Sequence, residues 1–186
     1  CLQRTAYGYN RWSQSAMRQW LNSDKGVGEW WTPQNDYDRC PDQLAAKAGF
    51  LTGFDADFLE VLRPTKVVTA LNTITDATSS NSVDPLETTY DKIYLPALEQ
   101  MSIEPQFAGE GTTWDYWKRA SNMTTKMKQY QTYPQIRTFA IENHTSPQGV
   151  RLRSAGRGSS YGTWYVDSSG LVYNYDYSAY WAYRCA

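Results

Sequence analysis

VRLRSAGRGSSYGTWYVDSSGLVYNYDYSAYWAYRCA, residues Val150 to Ala186, holds seven of the chain's fifteen tyrosines and two of its tryptophans. Its charges are few: Arg151, Arg153, Arg157, Asp167, Asp176 and Arg184. Lys, Glu, Gln and Met, used freely elsewhere, do not occur in it. Alternation predicts its local structure. Val150–Ala155 reads as a strand, and Gly156, Gly158 and Gly162 mark a loop. Thr163–Asp167 reads as a second strand, with Trp164 and Val166 on one face and Thr163, Tyr165 and Asp167 on the other. Ser168-Ser169-Gly170 reads as a hairpin turn, Leu171–Tyr173 as the returning strand, and Trp181–Ala186 as a last strand. From Tyr173 to Tyr180 the pattern fails. A continued strand would bring Asn174, Asp176 and Ser178 inward with Val172, and unpartnered buried polar groups are costly, so an exposed loop is expected there.

A surface rich in Tyr, Ser, Gly, Asn and Asp has the composition of an antibody-like paratope. Tyrosine offers broad contact area with few torsions to order, and the small polar residues adapt their hydrogen bonds. Tyrosines at 173, 175, 177, 180 and 183 are too dense, and too mixed with polar residues, to be all interior. The segment therefore reads as a recognition surface and the rest of the chain as its scaffold.

Working back toward the start, Ser13 is the expected cap of a helix over 14–22 with Ala16, Met17, Trp20 and Leu21 on one face. Residues 23–28 end it with turn chemistry. Trp30 and Trp31 are expected in packing. A second helix is expected over 56–62, capped by Asp55, stapled by Phe54 and Leu59, with Phe58, Leu59 and Leu62 inward. Lys66–Thr75 and Lys92–Leu95 are expected strands, with a polar loop over 76–84 between them. Pro96 opens a helical turn through Leu98 and Met101, and a short helix begins near Thr113. Residues 122–133 read as irregular, 137–141 as a strand and His144 as a loop residue.

The 186 residues fit one domain, and 41% hydrophobic with 20% charged residues is an ordinary globular balance. A net charge of −1 gives no basic footprint for nucleic acid. No apolar run reaches the roughly 18 residues of a membrane span. The chain opens without Met and without a signal-peptide pattern, and it reads as a piece of a longer protein. Cys1, Cys40 and Cys185 have no metal-site spacing; one bridge or three free thiols are both open. Asp36 and Asp38 make a weak cation signal. The single histidine has no nucleophile motif around it, and GxSxG, HExxH and P-loop spacings are absent. Glu99, Glu104 and Glu110 are the carboxylates a glycosidase reading would need, though sequence does not place them together.

Taken together, several motifs resemble a family of phage and gut-bacterial proteins whose C-type-lectin-like domain is diversified by a retroelement. They are Tyr9 to Ser23 (YNRWSQSAMRQWLNS), Trp30 to Asn35 (WWTPQN), Gly49-Phe50-Leu51, Lys66 to Thr69 (KVVT), Tyr94 to Met101 (YLPALEQM), Tyr116 to Arg119 (YWKR), Arg151 to Ala155, Trp164 to Gly170 (WYVDSSG) and Ala182 to Ala186 (AYRCA). The resemblance implies an α+β, C-type-lectin-like fold: one domain over 1–186 with a small twisted antiparallel sheet, two main helices and long irregular loops. It implies a variable segment over about 156–183, where error-prone copying of adenines scatters AAC and AAT codons among Asn, Ser, Thr, Tyr, Asp, Gly and His. Lys, Glu, Gln, Met and Trp are unreachable from those codons, which matches the missing types and makes Trp164 scaffold; Trp181 departs from that rule. The calcium–sugar motifs of C-type lectins do not occur, and Cys185 alone does not match the cysteine pair of formylglycine-generating enzymes.

The expected ligand surface is then Gly156, Ser159, Ser160, Tyr161, Gly162, Thr163, Tyr165, Asp167, Leu171, Tyr173, Asn174, Tyr175, Asp176, Tyr177, Ser178, Tyr180, Trp181 and Tyr183. No catalytic residue, metal or cofactor is expected. The implied partner is a host-cell surface protein or glycan, without nucleic acid or membrane insertion. The implied setting is a phage particle, with homotrimers within a larger phage structure, or else a bacterial surface adhesin or lipoprotein. A carbohydrate-active enzyme is the remaining alternative.

Overall fold

A computed structural model describes residues 10–34, 40–71, 86–105, 108–115, 150–156, 162–166 and 171–175. Its helices are α1 (Ala16–Leu21), α2 (Asp42–Ala45) and α3 (Ala56–Val61). Its strands are β1 (Thr65–Ala70), β2 (Leu86–Asp91), β3 (Val150–Ala155), β4 (Thr163–Val166) and β5 (Val172–Tyr175). Three 3-10 turns, Trp12–Gln14, Phe50–Gly53 and Glu99–Met101, complete a mixed α+β arrangement. β1 and β2 form one antiparallel sheet, and β3-β4-β5 a second.

Ser15, not Ser13, caps α1: its hydroxyl accepts from the Arg18 amide at 3.2 Å. Ser13 is drawn elsewhere, its amide and hydroxyl both donating to Glu87 on β2 at 2.9 and 2.8 Å. As expected, α1 buries Ala16, Met17 and Leu21, while Trp20 is half-buried and donates its indole N–H to the Ala48 carbonyl. Trp30 is buried and donates to the Lys47 carbonyl.

Alternation along β2 sends Glu87, Thr89 and Asp91 inward, onto the N-terminal segment. Asp91, 1% exposed, accepts from Trp12 Nε1 (2.8 Å), Arg18 Nε (2.7 Å) and Thr89 Oγ1 (2.6 Å). Arg11 pairs with Glu87 at 2.9 Å. This polar strand replaces the expected strand over Lys92–Leu95. There Asn22 accepts the amides of Lys92 and Ile93 through Oδ1 and donates to the Ile93 carbonyl, so those backbone groups join no ladder. The strand expected over Lys66–Thr75 is β1, which begins one residue earlier and ends at Ala70, while 72–75 lie outside the described residues.

Asp55 caps α3 as expected, accepting from the Phe58 amide at 2.8 Å. Of the expected inward face, Leu59 and Leu62 are half-buried but Phe58 is exposed. No residue of α3 is buried, and Phe58 is 42% and Val61 69% exposed. Rings instead run outward in a row: Trp20 edge-on to Phe50 (5.0 Å), Phe50 edge-on to Phe54 (5.3 Å), and Phe54 stacked on Phe58 (4.8 Å).

Two apolar clusters make the core. Trp12, Met17, Leu21, Val67 and Leu95 join α1 to β1. Leu98, Met101, Ile103, Val150, Leu152, Trp164, Val166 and Val172 lie behind the three-stranded sheet, with Trp114 packed on them. The predicted loop over 76–84, the segments over 122–133 and 137–141, His144, the Ser168-Ser169-Gly170 turn, the last strand over 181–186, and Asp36 and Asp38 lie outside the described residues. So do Cys1 and Cys185; Cys40 is a free thiol whose pKa is raised by partial burial and then by Asp42.

Candidate recognition surface

The site rests on the pairing of β3, β4 and β5. Val150 faces Val166 and Val166 faces Val172, and all three are buried against the core cluster with Trp164 and Leu152. Each such side chain stabilises the sheet by about 1.5–3 kcal/mol. Residues one step along must point the other way. Arg151, Tyr165 and Tyr173 therefore form a row in register on the opposite face. Tyr165 and Tyr173 are half-buried, and their rings stack at 5.4 Å with 24° between planes. Such a cross-strand aromatic pair contributes about 0.5–1 kcal/mol while leaving ring area to solvent.

The neck of the β3–β4 hairpin is closed from outside. The Gly156 amide donates to the Gly162 carbonyl at 2.8 Å, and the Asn10 side-chain amide donates to the same carbonyl at 2.7 Å and to Gly156's at 3.3 Å. Asn10 is buried, as are both glycines.

Beneath β3 lies a buried polar node. Arg153, 2% exposed, spends all five N–H groups: on Thr69 Oγ1 (3.0 Å), the Leu95 carbonyl (2.7 Å), Gln100 Oε1 (2.5 Å), and the carbonyls of Val68 and Glu110 (both 2.9 Å). Its guanidinium also lies over the Tyr94 ring at 5.6 Å. Burial lowers its pKa to about 10, against the opposing pull of Glu110. The Glu110 carboxylate accepts from the Ala70 amide (2.9 Å) and Ser154 Oγ (2.6 Å). Burial raises its pKa, and those two hydrogen bonds and Arg153 only partly offset that. Glu99 holds the loop that presents Glu110, its Oε2 accepting from the amides of Gly109, Glu110 and Gly111. The φ values there, 114° at Gly109 and 139° at Gly111, are ones that side chains resist.

Of the positions expected to meet ligand, Tyr165, Leu171 and Tyr173 are half-buried, and Asn174 and Tyr175 continue β5 in register with Trp164 and Thr163. The strand thus runs two residues beyond the expected start of the loop. Gly156, Gly162 and Thr163 are buried: the glycines close the neck and Thr163, 4% exposed, sits at the start of β4. They brace the surface and do not line it. Ser159, Ser160, Tyr161, Asp167, Asp176, Tyr177, Ser178, Tyr180, Trp181 and Tyr183 lie outside the described residues. Arg151 shares the outer row in register but is likewise buried, 7% exposed. Asn10 was missed, since nothing in the sequence ties it to glycines more than 140 positions away.

The structure brings Glu99 beside the Glu110 loop, which sequence did not foresee, and leaves Glu104 exposed. Both oxygens of Glu110 are occupied and the residue is 2% exposed, an arrangement suited to bracing. Among the described residues no group of three or more His, Cys, Asp or Glu can hold a metal ion, and no helix is long and apolar enough to cross a membrane.

Compared with known families, residues 2–186 match the model of DUF6273, a domain of unknown function. The chain belongs to the DUF6273 family. No curated protein and no solved structure matches it. In this DUF6273 chain, the described geometry offers an aromatic face carried on a braced sheet.

Proposed function

We propose that this chain is a non-enzymatic recognition domain with a C-type-lectin-like fold, whose C-terminal segment is a retroelement-diversified, tyrosine-rich surface. Its ligand is a host-cell surface protein or glycan, and the domain is displayed on a phage particle. The observation that carries this reading is the stacked, half-exposed Tyr165–Tyr173 pair, set in register opposite a face made of Trp164, Val166 and Val172. The core face fixes the sheet, and the outer face leaves part of the Tyr165 and Tyr173 rings to solvent. The composition of the segment, without Lys, Glu, Gln or Met, supports the origin proposed for it. The burial of Trp164 supports its scaffold role.

The test replaces Tyr165 and Tyr173 together with Ser. Binding of the labelled chain to those members of a panel of intact bacterial cells that capture the parent chain is lost. Loss of the cross-strand stack costs about 1 kcal/mol, and Tm falls by no more than a few degrees. Retained binding, or a collapse of the fold, defeats the proposal. A near-copy of the DNA for 156–183 beside a reverse transcriptase gene is the matching genetic observation.

A further inference from the structure

Three of the four large hydrophobic residues exposed among the described residues lie on one strap of the fold, far in sequence from the tyrosine-rich segment. Phe58 and Val61 are on α3, and Tyr90 is on β2; their exposures are 42%, 69% and 66%. α3 turns about 100° per residue. That spacing puts Val61 on its outer side beside Asp57 and Glu60, while Leu59 and Leu62 lie toward the protein, half-buried. The chain then leaves through Arg63 and enters β1 at Thr65, where Lys66 pairs in register with Tyr90. Asp57, Glu60, Arg63 and Lys66 are all exposed, and none of them joins an ion pair among the described residues.

The strap is therefore acidic at one end, apolar in the middle and basic at the other. A two-fold contact requires a patch to complement itself, so that residue i meets j and j meets i. This order of charges satisfies that condition. Turned about an axis at Val61, the strap sets Asp57 and Glu60 of one copy against Arg63 and Lys66 of the other, twice over, with Val61 and Phe58 closed between them. A basic or an acidic partner would satisfy only one end and leave like charges at the other.

We propose that this strap is a homodimer interface, occupied by the same strap of a second copy of this chain. The six-residue helix offers a small area, so the pair is weak and salt-sensitive, and steered by its charges.

Sedimentation equilibrium on the full chain tests this at low salt, up to roughly 500 μM, the weak end that a patch of this size implies. The parent chain forms dimers with rising concentration, and added salt weakens them. Val61→Asp stays monomeric with an unchanged Tm, since Val61 supports no core. Asp57→Lys with Glu60→Lys makes the strap wholly basic, and Arg63→Glu with Lys66→Glu makes it wholly acidic. Each of these chains alone is monomeric, and a one-to-one mixture forms a heterodimer at least tenfold tighter than either homodimer. A parent chain that stays monomeric, whatever else the patch binds, overturns the proposal. So do a Val61→Asp chain that dimerises as before, a mixture that stays monomeric, or a trimer in place of the dimer.

Discussion

Replacing Arg153 with Met keeps most of the side-chain volume and removes all five donors. It leaves Thr69 Oγ1, Gln100 Oε1 and the carbonyls of Val68, Leu95 and Glu110 without this partner. An acceptor buried unpaired costs about 1–3 kcal/mol, and breaking a buried charged constellation about 3–5 kcal/mol. These penalties do not add: Gln100 Oε1 keeps the Ala97 amide, and Thr69 can reorient its hydroxyl. A net loss of about 4 kcal/mol follows, a large share of the roughly 5–15 kcal/mol that holds a domain together. Urea unfolding reads it as a midpoint lowered by roughly 2 M at unchanged slope. Lys at the same position keeps the charge but has three donors and no planar fork, and loses about half as much. A Met variant within about 1 kcal/mol of the parent refutes the view that this node ties β3 to β1 and to the Glu99–Gly111 region.

Two further outcomes follow from buried groups. Glu110 has a raised pKa in the folded state, so the fold retains its proton to higher pH than the unfolded chain does. The parent is then most stable, relative to Glu110→Gln, at and below the ordinary value of 4.5, and loses ground as pH rises through the folded value. Urea midpoints of both chains across pH 4.5–7.5 measure this, and a difference that is flat or grows with pH is inconsistent with it. Gly49→Ala places a methyl 2.7 Å from the carbonyl carbon of Ser23 and closer still to its oxygen. That carbonyl is held by the Leu51 amide, and Gly49 itself by Lys25, so the backbone has little room to yield. A loss of about 2–3 kcal/mol is expected in thermal melts, while Gly53→Ala, with open space around it, stays within about 0.5 kcal/mol.

What the sequence revealed and what it hid divide along a physical line. The Trp164/Val166 face was legible because a period of two in apolar residues reports directly on a half-buried strand. The Asp55 cap was legible because it is local. β2 was not, because its inward face is Glu87, Thr89 and Asp91, polar residues that tolerate burial only by meeting Arg11, Trp12 and Arg18 some seventy positions away. Hydrophobic periodicity has no means of seeing a strand whose inner face is hydrogen-bonded. The apolar run Lys92–Leu95 misled for the converse reason, since Asn22 captures its backbone first. Ser13 was the expected cap of α1, but it bonds the distant Glu87, and Ser15 caps the helix instead. Phe58 looked like core because it completes an apolar helical face, yet no element covers it among the described residues. On the candidate surface, the outward row at Tyr165 and Tyr173 was readable from alternation. The closing of the neck at Gly156 and Gly162 was not, since their carbonyls meet the distant Asn10.

This division bears on how a surface in this position can vary. The bonds that fix the hairpin neck run to the backbone of Gly156 and Gly162, and their donor, Asn10, lies outside the C-terminal segment. Arg153 spends three of its five donors on backbone carbonyls, and Ser154 takes the Leu98 amide. Main-chain partners are the same whatever side chain a position carries. The sheet's own hold is the apolar face, where truncating Trp164 or Val166 costs about 2–5 kcal/mol. At Tyr165 and Tyr173 the cross-strand ring stack is worth about 0.5–1 kcal/mol, well below the cost at the core face. A chain whose anchors are main-chain or lie outside the exchanged positions can accept many outer faces on one fold. That asymmetry, measured as the ratio of stability lost at 164 and 166 to that lost at 165 and 173, is the quantity on which the diversified-surface reading depends. A ratio near one would leave the outer face no freer to change than the core.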